Sequence, residues 1–225
     1  MILKRKIYDR LLEWKQKDNG ASAIFIDGAR RVGKSYVSKA FAKNEYRSYI
    51  LIDFAQVPKQ VLAIFEEDSA DLDTFFLKLS AYYRTPLHER GSVIVFDEVQ
   101  QYPLARQLIK HLVADHRYDY IETGSLITLR QNNESVVIPS EEEHVEMFPL
   151  DFEEFLWALD DDATVPALRM FFEKRAPLGQ ALHRRVMNDF RKYMLIGGMP
   201  QAVLEFLGTG NLEQVDRIKR RILTL

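Results

Sequence analysis

The residues best able to do chemistry stand in one run, Gly28-Ala29-Arg30-Arg31-Val32-Gly33-Lys34-Ser35, which fits G-x-x-x-x-G-K-[ST] at every specified position. That spacing suits a loop whose backbone N–H groups converge on phosphate oxygens. Glycines at both ends let the main chain come close without a Cβ in the way, and a helix opening at the lysine adds the positive end of its dipole. In such a loop Lys34 reaches the β- and γ-phosphates while the Ser35 hydroxyl coordinates Mg2+. The nucleotide-binding set is then Gly28, Ala29, Arg30, Arg31, Val32, Gly33, Lys34, Ser35 and the following Tyr36. A second set is Val93-Ile94-Val95-Phe96-Asp97-Glu98, an apolar run ending in two carboxylates. Beside a phosphate loop the pair divides the work: Asp97 holds Mg2+, and Glu98 orients and polarises an attacking water. A third is Thr123-Gly124-Ser125, where the hydroxyls of Thr123 and Ser125 suit a hydrogen bond to a γ-phosphate or to its attacking water.

These groups need elements to hold them, and the chain supplies a βα alternation. Leu3 to Lys17 places Ile7, Leu11, Leu12 and Trp14 on one stripe, an amphipathic helix stopped by Asp18-Asn19-Gly20. The apolar run Ala23-Ile24-Phe25-Ile26 precedes the glycine loop, and a helix over Ser35 to Lys43 follows it. Tyr49 to Ile52, Ser92 to Phe96 and Tyr118 to Glu122 read as further strands, the third of these ending at Thr123. Asp71 to Tyr83 carries an aromatic stripe at helical spacing, read as a packing face and not as a base-stacking platform. Pro103 opens another helix. The polar stretch from Gln131 with Glu141-Glu142-Glu143 reads as a solvated loop, with a fifth strand over Val145 to Phe148. Asp151, three before Glu154, begins a series of helices by a capping box. The expected fold class is α/β with a helical appendage.

Composition narrows the classes. With 225 residues, 47% hydrophobic and 28% charged, the chain is an ordinary globular one. Lys+Arg 31 against Asp+Glu 33 gives a net charge of −2, so no overall attraction to nucleic acid or membrane is written into the total. The absence of cysteine excludes disulfides, thiolate metal sites and thiol nucleophiles, and fits a cytoplasmic location. No apolar run reaches the roughly 18 to 20 residues of a membrane span, and none follows Lys4-Arg5-Lys6 as a signal sequence requires. Short basic runs such as Lys4-Arg5-Lys6 and Arg217 to Arg221 read as solvated faces, with phosphate contact as the alternative.

Taken in order, Ile26-Asp27-Gly28 through Ser35, Phe96-Asp97-Glu98, Thr123-Gly124-Ser125, Phe148-Pro149-Leu150-Asp151-Phe152-Glu153-Glu154-Phe155-Leu156 and Gly197-Gly198-Met199-Pro200 make the chain similar to the prokaryotic AAA-type ATPases. The resemblance implies a P-loop NTPase fold, AAA+-like, three-layered αβα with a mainly parallel sheet. In that sheet the Thr123 strand lies between the P-loop strand and the Asp97 strand. It implies a core over residues 1–149, a helical lid over 150–225, ATP and Mg2+ as cofactors, and ATP hydrolysis that drives the lid or a partner. Members often carry a Gly-Arg pair before the fifth strand; Val137-Ile138-Pro139-Ser140 stands here instead, which leaves the arginine finger unassigned, with Arg130 and Arg184-Arg185 read as solvated. The family usually continues into a further C-terminal domain, and this chain stops in a basic helix at Arg220-Arg221-Ile222-Leu223-Thr224-Leu225, as a truncated form would. Expected partners are ATP, further copies of the chain, and nucleic acid or protein engaged through that further domain, with no membrane. A hydrolase, an ATP-controlled binding switch and a small-metabolite kinase all remain open. The Asp97-Glu98 pair suits water activation better than transfer to a metabolite.

Overall fold

The computed structural model describes residues 3–124 and 141–224. They divide into two compact units, Ile7–Met147 and a second formed by Phe148 onward with the N-terminal residues up to Lys6.

The first unit is built on five parallel strands: β1 (Ala23–Asp27), β2 (Ser48–Asp53), β3 (Ser92–Asp97), β4 (Asp119–Gly124) and β5 (Glu142–Glu146), in the order β2-β3-β4-β1-β5. The Thr123 strand thus lies between the P-loop strand and the Asp97 strand, and the class is three-layer αβα. Side-chain alternation makes the layers. Phe25, Ile50, Ile52, Ile94, Phe96 and Tyr120 face α3 (Lys59–Glu67), α4 (Leu72–Tyr83) and α5 (Pro103–Asp115). The other face meets α2 (Lys34–Glu45), which contacts β2, β3 and β4. Beside α2 runs α1 (Lys6–Asp18), with Tyr8 edge-on to Phe41. Helix ends follow local chemistry: α1 stops where Asn19 and Gly20 turn to positive φ, the Asp71 side chain caps α4, and Pro103 occupies the first turn of α5. Helix α3 has no counterpart among the sequence expectations, although Val61, Ile64 and Phe65 show its i, i+3, i+4 spacing.

The fifth strand corrects the sequence reading. It lies over Glu142–Glu146 and not Val145 to Phe148, and the glutamate run is no solvated loop. The Ala23 N–H donates to the Glu141 carbonyl at 2.9 Å, which starts the register along β1. Glu142 then points inward and meets Arg106 of α5 in an ion pair at 2.8 Å, the two side chains 0% and 3% exposed. Glu122 of β4 is fully buried nearby, and neither of its oxygens has a donor among the described residues. Burial, together with the Glu142 carboxylate beside it, pushes the Glu122 pKa well above the carboxylate range. In its protonated form it can itself donate to Glu142.

The second unit is helical: α6 (Phe152–Ala158), α7 (Thr164–Glu173), α8 (Gln180–Ile196), α9 (Pro200–Thr209) and α10 (Leu212–Leu223). Its core gathers Leu3, Leu150, Phe155, Ile196, Ala202, Val203 and Val215. The capping box at α6 forms as expected, with Asp151 and Glu154 bonding reciprocally. Leu150 N–H donates to Gly198 carbonyl at 2.7 Å, and a Cβ on Gly198 would fall 2.1 Å from the Leu150 oxygen. The Pro-Leu and Gly-Gly stretches, 48 residues apart, are therefore one packed joint in which only glycine fits. Within the basic start Arg5 departs from the solvated face expected there, while Lys4 and Lys6 keep exposed side chains that also form ion pairs. Arg5 is buried and pairs with Glu154 at 3.2 Å, Lys6 reaches Asp151 and Glu153, and Lys4 pairs with Asp162.

Candidate active site

The loop Gly28 to Gly33 joins β1 to α2, and Lys34 is the first helical residue. Two of its glycines are required. Gly28 has φ 148°, and a Cβ there would sit 2.2 Å from the Met147 carbonyl oxygen; Gly33 has φ 102°. Arg31 adopts φ 67°, a left-handed conformation that the loop imposes on a non-glycine residue. Val32 is fully buried and anchors the turn, whereas Arg30, Arg31 and Tyr36 are exposed. The Asp27 carboxylate accepts the Gly28 N–H at 2.6 Å, fixing the entry to the loop.

Lys34 is 5% exposed and donates to the carbonyls of Gly28 at 2.8 Å and Ala29 at 3.0 Å, so its ammonium curls across the loop. Burial pushes its pKa below the ordinary lysine value, against the opposing pull of Glu98, Asp27 and Asp97. At the neighbouring strand tips a hydroxyl network converges on one atom. Asp97 Oδ1 accepts from Ser35 Oγ at 2.8 Å and from Thr123 Oγ1. Thr123 Oγ1 in turn accepts the Glu98 N–H at 3.2 Å. The sheet order explains this meeting, because α2, β3 and β4 deliver their ends to one edge of the sheet.

The arrangement can hold a triphosphate and a divalent cation. The loop N–H groups and Lys34 lie where phosphates would be met, Gly28 packs directly on the Met147 carbonyl, and the Ser35 hydroxyl and Asp97 carboxylate stand side by side as hard oxygen donors for Mg2+. The sequence-expected residues Lys34, Ser35, Asp97, Glu98 and Thr123 are brought together. Ser125 and Arg130 lie outside the described residues, and Arg185 is engaged with Asp161 at 3.2 Å. Gln100 escaped the sequence reading. It is buried and donates from Nε2 to Glu98 Oε2, and the only hint was its position two residues after the carboxylate pair.

A family model described as an AAA domain matches residues 20–156, more than half of the chain. The chain belongs to the AAA domain family. The match spans the P-loop, the Asp97-Glu98 pair and the Thr123 strand of this AAA domain. No curated protein matches the sequence. Among solved structures it is similar to a Walker-type ATPase of Pyrococcus abyssi, with 17% identity and a TM-score of 0.53, covering 99% of this chain and 72% of that one. It is also similar to a signal transduction ATPase with numerous domains and a tetratricopeptide repeat sensor from Pyrococcus horikoshii, with 16% identity and a TM-score of 0.48, covering 96% of this chain and 32% of that one. The first likeness agrees with the three-layer P-loop fold of the AAA domain. Among the described residues of the AAA domain protein, no helix is long and apolar enough to cross a membrane.

Proposed function

We propose that the protein binds ATP with Mg2+ at the loop Gly28 to Ser35 and hydrolyses it, and that turnover drives movement of the helical unit or of a partner. The shared acceptor Asp97 Oδ1 carries this reading, since it draws the P-loop hydroxyl of Ser35 and the strand hydroxyl of Thr123 to one point beside Glu98. Loop N–H groups and the Lys34 ammonium bind the phosphates; displacing the ammonium from the Gly28 and Ala29 carbonyls is the adjustment that binding requires. Ser35 and Asp97 hold the cation, which when bound neutralises charge on the β- and γ-phosphates. Glu98 orients the attacking water and takes its proton, and Thr123 keeps the Glu98 main chain and the Asp97 carboxylate in register with each other. The division of the chain into two compact units supports coupling of the cycle to movement.

The test is ATP turnover and nucleotide affinity of the wild type and of Glu98→Gln, with size-exclusion chromatography in the presence and absence of nucleotide. Wild type turns over ATP in Mg2+, whereas Glu98→Gln binds with unchanged affinity and loses about 10² to 10⁴ in kcat. Turnover by Glu98→Gln at the wild-type rate removes Glu98 from its role. No turnover by the wild type at any protein concentration replaces the hydrolase with an ATP-controlled binding switch.

A further inference from the structure

The Glu98 backbone is left-handed, with φ 54° and ψ 45°, and its N–H is tied to Thr123 Oγ1. Its side chain is tied separately. Gln100 sits in the short 3-10 turn Val99–Gln101 that links β3 to α5, and donates from Nε2 to Glu98 Oε2. The turn is closed by Gln101 N–H to Glu98 carbonyl at 2.9 Å and Tyr102 N–H to Val99 carbonyl at 3.1 Å, with Val99 fully buried, so the Gln100 backbone is firmly held.

The amide nitrogen is the end that faces Glu98, donating to its Oε2. The other end then follows: Gln100 Oε1 is buried with no donor among the described residues, in a residue 8% exposed, and lies against Gly124 at the tip of β4. A Cβ on Gly124 would lie 2.8 Å from that oxygen and 3.1 Å from the Phe25 ring. Leaving a buried acceptor unmatched is unfavourable. It is tolerated here in an amide whose nitrogen grips the carboxylate beside the phosphate loop.

We propose that Gln100 is a positioning residue for hydrolysis, whose amide holds the Glu98 carboxylate in its aim while Gly124 leaves the space that the amide needs. The proposal rests on the reading of Glu98 as the group that activates water. Without the amide the carboxylate rotates away from a single direction, which lowers kcat and leaves nucleotide binding alone.

The experiment compares wild type, Gln100→Met, Gly124→Ala and Glu98→Gln, and the double variant Gln100→Met with Glu98→Gln, for kcat, ATP affinity and thermal unfolding. Methionine keeps the length and volume of glutamine without its donor. Gln100→Met loses about 10- to 100-fold in kcat with ATP affinity within a factor of about two of wild type. Gly124→Ala, which displaces the same amide by its new Cβ, gives a smaller loss of the same kind and serves if Gln100→Met does not fold. In the Glu98→Gln background Gln100→Met costs nothing further, because the amide acts only through the carboxylate. If wild type is active and both Gln100→Met and Gly124→Ala keep its kcat, the inference fails while the reading of the site stands. Faster turnover by Gln100→Met overturns it in favour of a brake, and an equal loss in both backgrounds overturns the route through Glu98. A wild type without turnover takes down the reading of the site itself, and this inference with it.

Discussion

Asp97 and Glu98 at the end of β3, and Glu122 and Glu142 in β4 and β5, are acidic residues of one sheet with different company. The first pair receives neutral donors: two hydroxyls converge on Asp97 Oδ1, and an amide reaches Glu98. The second pair lies between the sheet and α5, where Glu142 meets Arg106 and the His144 ring and Glu122 meets no donor among the described residues. Where donors are ample, the carboxylates are held in place to serve a cation or a water. Where they are scarce, burial and the neighbouring Glu142 carboxylate push the Glu122 pKa up. A carboxylate in the body of a strand thus becomes a matter of stability, and one at its tip a matter of chemistry.

The sharpest way to break this contrast is Arg106→Met. It leaves the buried Glu142 carboxylate with the His144 ring in place of a guanidinium and is expected to cost about 3 to 5 kcal/mol of unfolding free energy in urea. A loss below about 1 kcal/mol would mean that the Arg106–Glu142 pair does not hold α5 to β5. At the strand tips Thr123→Ala removes hydrogen bonds to a charged acceptor, an effect of about 1.5 to 3 kcal/mol that should appear as a roughly 10- to 100-fold fall in kcat with less change in ATP affinity. A fall in affinity alone would move Thr123 from catalysis to binding. Glu122→Gln is the gentlest probe, since a neutral amide matches the shape of the protonated acid and can still donate to Glu142. The folded pKa of Glu122 is raised above an unfolded value of about 4.3. Its contribution to stability is therefore complete below that value and is lost as pH rises towards the folded one. Glu122→Gln should remove this decline, seen as a flatter dependence of unfolding free energy on pH. A slope equal to that of the wild type would show that Glu122 is charged in the fold.

The phosphate loop was legible because its chemistry is local: Gly28 and Gly33 must be glycine, and Lys34 and Ser35 are fixed by the turn between them. The Asp97-Glu98 pair was legible because a fully buried strand reads as an unbroken apolar run. The glutamates of β5 were misread because sequence displays a charge without its partner. Glu142 looked solvated until Arg106, 36 residues earlier, was brought over it. Arg5 was misread for the same reason, its partner Glu154 standing 149 residues away. Gln100 carried no pattern of its own and acquired meaning only from the left-handed turn at Glu98.

By itself the sequence determined the alternation of strands and helices, the phosphate loop and the two carboxylates that follow an apolar strand. Hydrophobic period and glycine placement are properties of neighbouring residues, and no distant contact is needed to read them. Tertiary structure decided which strands lie side by side, and with that the meeting of Ser35, Asp97 and Thr123 at one oxygen, the grip of Gln100 on Glu98 and the burial of Glu142 against Arg106. Parallel strands are joined through helices, so their lateral order depends on how those helices pack, and local patterns carry no record of it.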